Sequence, residues 1–202
     1  LWLWASPHVS MTFRSQLAQT TKRDRADLVA LAIGALAIRA HERVGAIGAP
    51  HGPDHSRGQL VRIAEWLMLH DGPPLPAFTR MPRFSSAVLV GDFFDPPDAI
   101  ARAITPMAEA GVSGHLVQVV DPAEETLPYA GRVEFQEVAG PLRFLSSKTE
   151  TLRDAYGARL EVHRGALRDL CRSIGWTFTV HRTDKPPARL LMMLHALMSG
   201  TW

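Results

Sequence analysis

SSAVLVGDFFDPP, residues 85–97, is the stretch whose reading decides the fold. Ala87, Val88, Leu89 and Val90 run together without polar alternation, the pattern of a strand buried on both faces. Gly91 and Asp92 end that run. Asp95, Pro96 and Pro97 then supply a capping residue and first-turn prolines, with which helices begin. A doubly buried strand that feeds directly into a helix is half of a strand–helix–strand unit, and it predicts a parallel sheet with helices packed on it.

The same alternation extends in both directions. Upstream, LWLWA (1–5) reads as a short buried strand leading into the turn SPHVSM. TKRDRADLVALAIGALAIRAHE (21–42) reads as a helix, with Thr21 and Asp24 as a capping box. It is apolar nearly all round from Leu28 to Ile38, which predicts burial on several sides. RVGAIGA (43–49) is a second strand, APHGPDHSRG (49–58) a loop, and QLVRIAEWLML (59–69) a helix.

Downstream, a helix runs through AIARAITPMAEA, kinked by Pro106, and stops at Gly111. HLVQVVD (115–121) is another apolar strand, and RVEFQEVAGPLRFLSS (132–147) a hairpin turning at Gly140–Pro141. A long helix covers 149–174. WTFTVH (176–181) is a strand with Trp176, Phe178 and Val180 inward, and DKPPARLLMMLHALMSG (184–200) a closing helix. The expected fold is α/β: one domain over residues 1–202, with a doubly wound, mainly parallel sheet, helices on both faces and an added β-hairpin. Ligand sites in such sheets lie beyond the carboxyl ends of the strands. Two polar turns fall there, SPHVS and GDFFD.

Composition narrows the function classes. Of 202 residues, 46% are apolar and 21% charged, which excludes a disordered chain. The net charge of +2 comes without a run of Lys or Arg, which argues against a nucleic-acid partner. The single cysteine, Cys171, precludes an intrachain disulfide and predicts a cytoplasmic setting, with Cys171 itself an inert core thiol. LWLW and PPARLLMMLHALMSG are both too short to span a membrane. The apolar start at Leu1 points to a native N-terminal segment upstream.

No phosphate-binding loop, dinucleotide fingerprint, nucleophile elbow or zinc motif is present. His8, Ser10 and Asp92 could form a hydrolase constellation, with Asp92 behind the imidazole and His8 as base for Ser10. His51, Asp54 and His55 in HGPDHS could ligate a metal, although a solvated loop is the simpler reading. DPAEETLPYAGR (121–132) is an acidic loop in which Glu124 and Glu125 could dock a protein partner. His163, on the long helix, reads as a hydrogen-bonded packing residue.

WLWASPHVSM, RVGAIG, LVGDFFDP, GHLVQVVDPAEETLPYAGRVEF and LRDLCRSIGWTFTVHRTD together resemble the domain of unknown function 58 family, whose members contain a von Willebrand factor type A-like domain. The resemblance implies a metal-ion-dependent adhesion site above the first strand: D-x-S-x-S, a Thr from a second loop and an Asp from a third, holding Mg²⁺ with hard oxygen ligands. Here that motif falls on Ser6-Pro7-His8-Val9-Ser10. Ser6 stands for the Asp and His8 for the first Ser, while Ser10 is kept. Asp92 matches the third-loop Asp. Ser56 is the only hydroxyl in HGPDHSRG, so the Thr has no clear counterpart. The resemblance therefore implies a degenerate metal site at Ser6, His8, Ser10 and Asp92, with weak Mg²⁺ binding at most. It further implies a non-enzymatic adaptor that acts with a MoxR-type AAA+ ATPase in assembly or maturation.

Overall fold

The computed structural model describes residues 1–128, 133–136, 143–146 and 149–199. In chain order the elements are β1 (Trp2–Ala5), a 3₁₀ turn (Val9–Thr12), α1 (Lys22–Arg39), β2 (Gly45–Ala46), α2 (Arg57–Leu69), β3 (Ser86–Gly91) and α3 (Pro97–Glu109). They continue with β4 (Ser113–Val120), α4 (Pro122–Thr126), β5 (Val133–Gln136), β6 (Arg143–Ser146), α5 (Thr149–Ser173), β7 (Thr177–Arg182) and α6 (Ala188–Ser199).

Five strands form one sheet in the order β2-β1-β3-β4-β7. Every neighbouring pair is parallel. Ala87–Val90 lie in its middle and are fully buried, as their unbroken apolar run requires. Alternate residues then serve opposite faces. Leu3, Val88, Val90, Val117 and Val119 pack against α1, α2 and α6. Trp2, Trp4, Leu89 and Leu116 pack against α3 and α5. The fold is therefore α/β and doubly wound, with helices on both faces, and it is consistent with a type A-like arrangement. The strand order reverses between β1 and β3, where the chain winds outward in opposite directions.

β5 and β6 pair antiparallel as a separate two-stranded unit, with Val133 opposite Ser146. The expected turn at Gly140–Pro141 lies outside the described residues.

Three local expectations change. α1 buries one broad face rather than its whole circumference: Leu28 and Leu36 are exposed, whereas Val29, Ala30 and Ile33 are not. β2 shrinks to two residues, because Gly48 turns the chain at φ +84° and Val44 pairs instead with Asp54. β7 does not alternate cleanly: Phe178 and Val180 are half-buried while His181 is buried. It is the outer strand of the described sheet, and α5 packs against it. Trp176, just before β7, lies across Gly114, where an added Cβ would overlap the indole, and its Nε1 donates to the Val112 carbonyl at 2.9 Å.

Candidate functional site

Four chain segments converge beyond the carboxyl ends of β1, β3 and β4, at the point where the strand order reverses. Doubly wound sheets hold ligands at this position. β1 delivers Ser6, His8 and Ser10. The Ser6 N–H bonds the Val90 carbonyl at 2.8 Å, tying this loop to β3, and Met11 anchors the 3₁₀ turn in the core. β3 delivers Asp92. β4 ends at Asp121, which caps α4 by accepting from the Ala123 N–H, while the Glu124 carboxylate accepts from the Asp121 N–H. This capping box fixes where Glu124 points. The fourth segment is the start of α1, whose Thr21 hydroxyl accepts from the Asp24 N–H as the sequence predicts.

Lys22, the first residue of α1, is the centre of the site. Its side chain is wholly buried. Its Nζ donates to Asp92 Oδ2 at 3.0 Å and to Glu124 Oε1 at 2.6 Å. The Phe94 ring lies 5.2 Å from the ammonium, within cation–π range. Asp92 Oδ2 also accepts from the Ser10 hydroxyl at 2.5 Å. Burial pushes the Glu124 carboxyl above its ordinary range, an effect that the Lys22 ammonium and the Asp121 N–H oppose. Burial and the nearby Glu124 charge together push the Tyr156 phenol up to about 12.

The turn after β3 is held from behind. Phe93 sits at φ +47°, the left-handed region that bulky residues avoid. Its ring is buried near Trp4. Gln118 Nε2 donates to the Asp92 carbonyl at 2.9 Å, His163 Nε2 contacts the Phe93 carbonyl at 2.7 Å, and Arg164 Nε donates to Gln118 Oε1 at 3.0 Å. His163 is thus a packing residue that holds the loop presenting Asp92.

Ser6, His8, Ser10 and Asp92 are brought together, but not in the order a hydrolase needs. His8 Nδ1 and Ser10 Oγ are 2.7 Å apart, yet Asp92 touches the serine rather than the imidazole. The serine donates its one hydroxyl proton to the Asp92 carboxylate, and His8 Nδ1 also accepts from the Ser10 N–H at 3.4 Å. With the hydroxyl directed at Asp92 and no carboxylate behind the imidazole, the arrangement is not that of a serine–histidine–aspartate relay. Ser6 is buried and its hydroxyl donates to the Pro74 carbonyl at 3.3 Å.

The donor set does not suit a divalent cation of the kind the resemblance implies. Ser6 supplies no carboxylate, His8 offers nitrogen where Mg²⁺ prefers oxygen, and the Ser10 hydroxyl is spent on Asp92. Lys22 already occupies Asp92 Oδ2. A dication about 4 Å from that ammonium would meet a repulsion on the order of 8 kcal/mol at an effective dielectric of about 20. Among the described residues, no three His, Cys, Asp or Glu side chains gather to hold a metal.

The other candidates lie apart. Asp54 is exposed and bonded to Ser56, Arg62 and the His55 N–H. Glu125 pairs with Arg164 at 2.7 Å and Arg182 at 3.4 Å, so both acidic residues of α4 are held by cations of this chain. Burial pushes the Cys171 thiol up to about 12, so it carries no thiolate near neutral pH.

Lys22 and Gln118 escape a reading of the sequence. The signal for Lys22 is its place: the first turn of a helix favours anions, so a lysine there opposes the local field and calls for carboxylate partners.

Comparison with known proteins agrees with the architecture. The crystal structure of conserved hypothetical protein BatB from Bacteroides thetaiotaomicron matches with a TM-score of 0.58 at 12% identity, over 99% of this chain and 97% of that one. At that identity the likeness shows the fold alone. No curated protein matches the chain. No helix among the described residues is long and apolar enough to cross a membrane. The family model described as protein of unknown function DUF58 matches residues 1–166, and the chain belongs to that family.

Proposed function

We propose that this chain is a non-enzymatic, type A-like protein-interaction domain in which Lys22 takes over the work of the adhesion-site cation. It acts as a cytoplasmic adaptor with a MoxR-type AAA+ ATPase, in assembly or maturation. The observation that carries this reading is the wholly buried ammonium between Asp92 and Glu124. A cation in a type A-like site ties loops together and leaves a position for a partner's carboxylate. A covalently tethered ammonium ties the same loops but leaves no coordination vacancy. Recognition then falls to the protein surface around the loops, and binding no longer depends on metal supply.

The alternative reading, a hydrolase using His8, Ser10 and Asp92, is supported by the 2.7 Å His8–Ser10 contact. It is weakened by the position of Asp92, which accepts from Ser10 and Lys22 and so has no role behind the imidazole. Affinity purification of the tagged chain from its native host, with EDTA throughout, tests the adaptor reading. An AAA+ ATPase should co-purify undiminished by the chelator. Absence of any such ATPase, together with ester or peptide hydrolysis that Ser10→Ala abolishes, would favour the hydrolase.

A further inference from the structure

We propose that the cleft along the outer edge of β7 is a docking site for an extended, acidic polypeptide segment of a partner protein, which adds to β7 as a further strand. This names the chemistry of a partner and in that respect rests on the interaction reading above. It uses none of Ser6, His8, Ser10, Lys22 or Asp92.

Three observations converge. The first is charge. The cleft, about 640 Å³ in volume, is lined by Arg164, Arg168, Arg182, Lys185 and Arg189, with Glu125 as its one lining carboxylate. Glu161 and Asp184 pair with some of these cations from outside the lining. Even so, three carboxylates face five cations, and Arg25, bonded to His181 beside the cleft, adds a sixth positive charge. Arg189 has no ionic partner among the described residues. Arg164 is nine-tenths buried or more, yet its Nη2 has no hydrogen-bond partner among the described residues. That nitrogen is itself sealed from solvent, so the charge offered to a ligand comes from the exposed Arg168, Lys185 and Arg189.

The second observation is the backbone. The Thr183 N–H bonds the Val120 carbonyl of β4, which fixes the parity of the strand. Odd residues of β7 direct their N–H and C=O toward β4, and even residues direct theirs outward. Phe178 and Val180 thus present a ladder edge of the kind that extended peptides complete. The third is the wall: Leu190 and Met193 of α6 line the same cleft, giving apolar side chains of an added strand a place beside the charges. A free phosphate would use the guanidinium groups but neither the ladder edge nor the apolar wall. The spread of the features along a strand therefore favours a peptide.

The test uses the whole chain and a fluorescein-labelled peptide of alternating Glu and Val, roughly ten residues long so as to exceed a typical strand, read by fluorescence anisotropy. The expected result is saturable binding that weakens with salt, is absent for an alternating Lys–Val peptide, and falls roughly tenfold in Arg168→Glu/Arg189→Glu. Both substituted side chains project from helix surfaces, and unchanged circular dichroism confirms the fold. A probe N-methylated on alternate amides should bind far more weakly, because it cannot complete the ladder. Failure of the acidic peptide to bind overturns the proposal. So does equal binding of the N-methylated probe, or displacement by inorganic phosphate at low concentration, which would mark a small-anion site. Peptide binding lost while the ATPase still co-purifies sinks this inference alone. Peptide binding retained with no ATPase recovered sinks the adaptor reading alone.

Discussion

A lysine at the first position of a helix faces the positive end of the helix dipole, and burying it removes its hydration as well. Lys22 is held there by two carboxylates, from Asp92 and Glu124, that lie 70 and 102 residues away in sequence. That separation is why the sequence, which marks Lys22 only by its odd place in a helix start, does not reveal its partners. Ser6, His8, Ser10 and Asp92 are legible because they follow strand ends, and strand ends are marked locally. The cation that joins them comes from a helix start and finds its partners only in three dimensions. Replacing Lys22 by Met keeps the volume but leaves two buried carboxylates side by side. Lys22→Met should lose about 3–5 kcal/mol of stability by urea unfolding at neutral pH. Burial already raises the Glu124 carboxyl, and without the ammonium it rises further. A carboxyl raised in the folded state favours folding when protonated, and that advantage is lost as pH rises through its folded value. The variant should therefore recover stability on acidification from neutral toward the Glu124 range. A deficit that is the same at both pH values would show that the loss is one of packing rather than charge.

Elements reveal a second division between what sequence can and cannot say. The central strands are readable because apolar runs of this length have one stable home. β7 departs from its expected alternation because a strand at the sheet edge meets different surroundings on each side. His181 is the clearest case. Burial first, and the neighbouring Arg25 guanidinium second, hold its imidazole down at about 4, from an ordinary 6.5. Arg25 approaches Nε2, which leaves that nitrogen as the acceptor. The unfolded chain takes up a proton on this histidine near pH 6.5 and the folded chain does not, so stability is complete above 6.5 and falls as pH drops toward 4. The loss should approach 3 kcal/mol, at about 1.4 kcal/mol per pKa unit. Burial of His115 adds to it with the same sign. Chemical denaturation between pH 7 and pH 4 measures the slope, and His181→Gln should flatten it. On β4, Gly114→Ala should destabilise by roughly 1–3 kcal/mol or more, because the Trp176 indole occupies the space of the new methyl. A thermal melt within a degree of the unsubstituted chain would contradict that packing.

At the scale of the whole molecule, the parallel sheet, its two helical layers and the location of the site follow from the order of buried runs and helices. The position of the site is a property of the winding, since the strand order reverses between β1 and β3 and loops from both directions meet there. Its chemistry is not. The same scaffold can carry a metal, a catalytic group or, as here, a lysine, and only the residues at the strand ends decide. The β7 cleft is illegible in the sequence for a related reason. Arg164 comes from α5, Arg182 from β7 and Arg189 from α6, so no single stretch of sequence displays the patch. If Lys22 stands in for the divalent cation, calorimetric titration of Mg²⁺ will show it. The unsubstituted chain should show no binding isotherm, and Ser6→Asp/His8→Ser should gain little while Lys22 remains. Adding Lys22→Ala to those two changes should open the site and produce saturable Mg²⁺ binding. Tight Mg²⁺ binding by the unsubstituted chain would contradict the account.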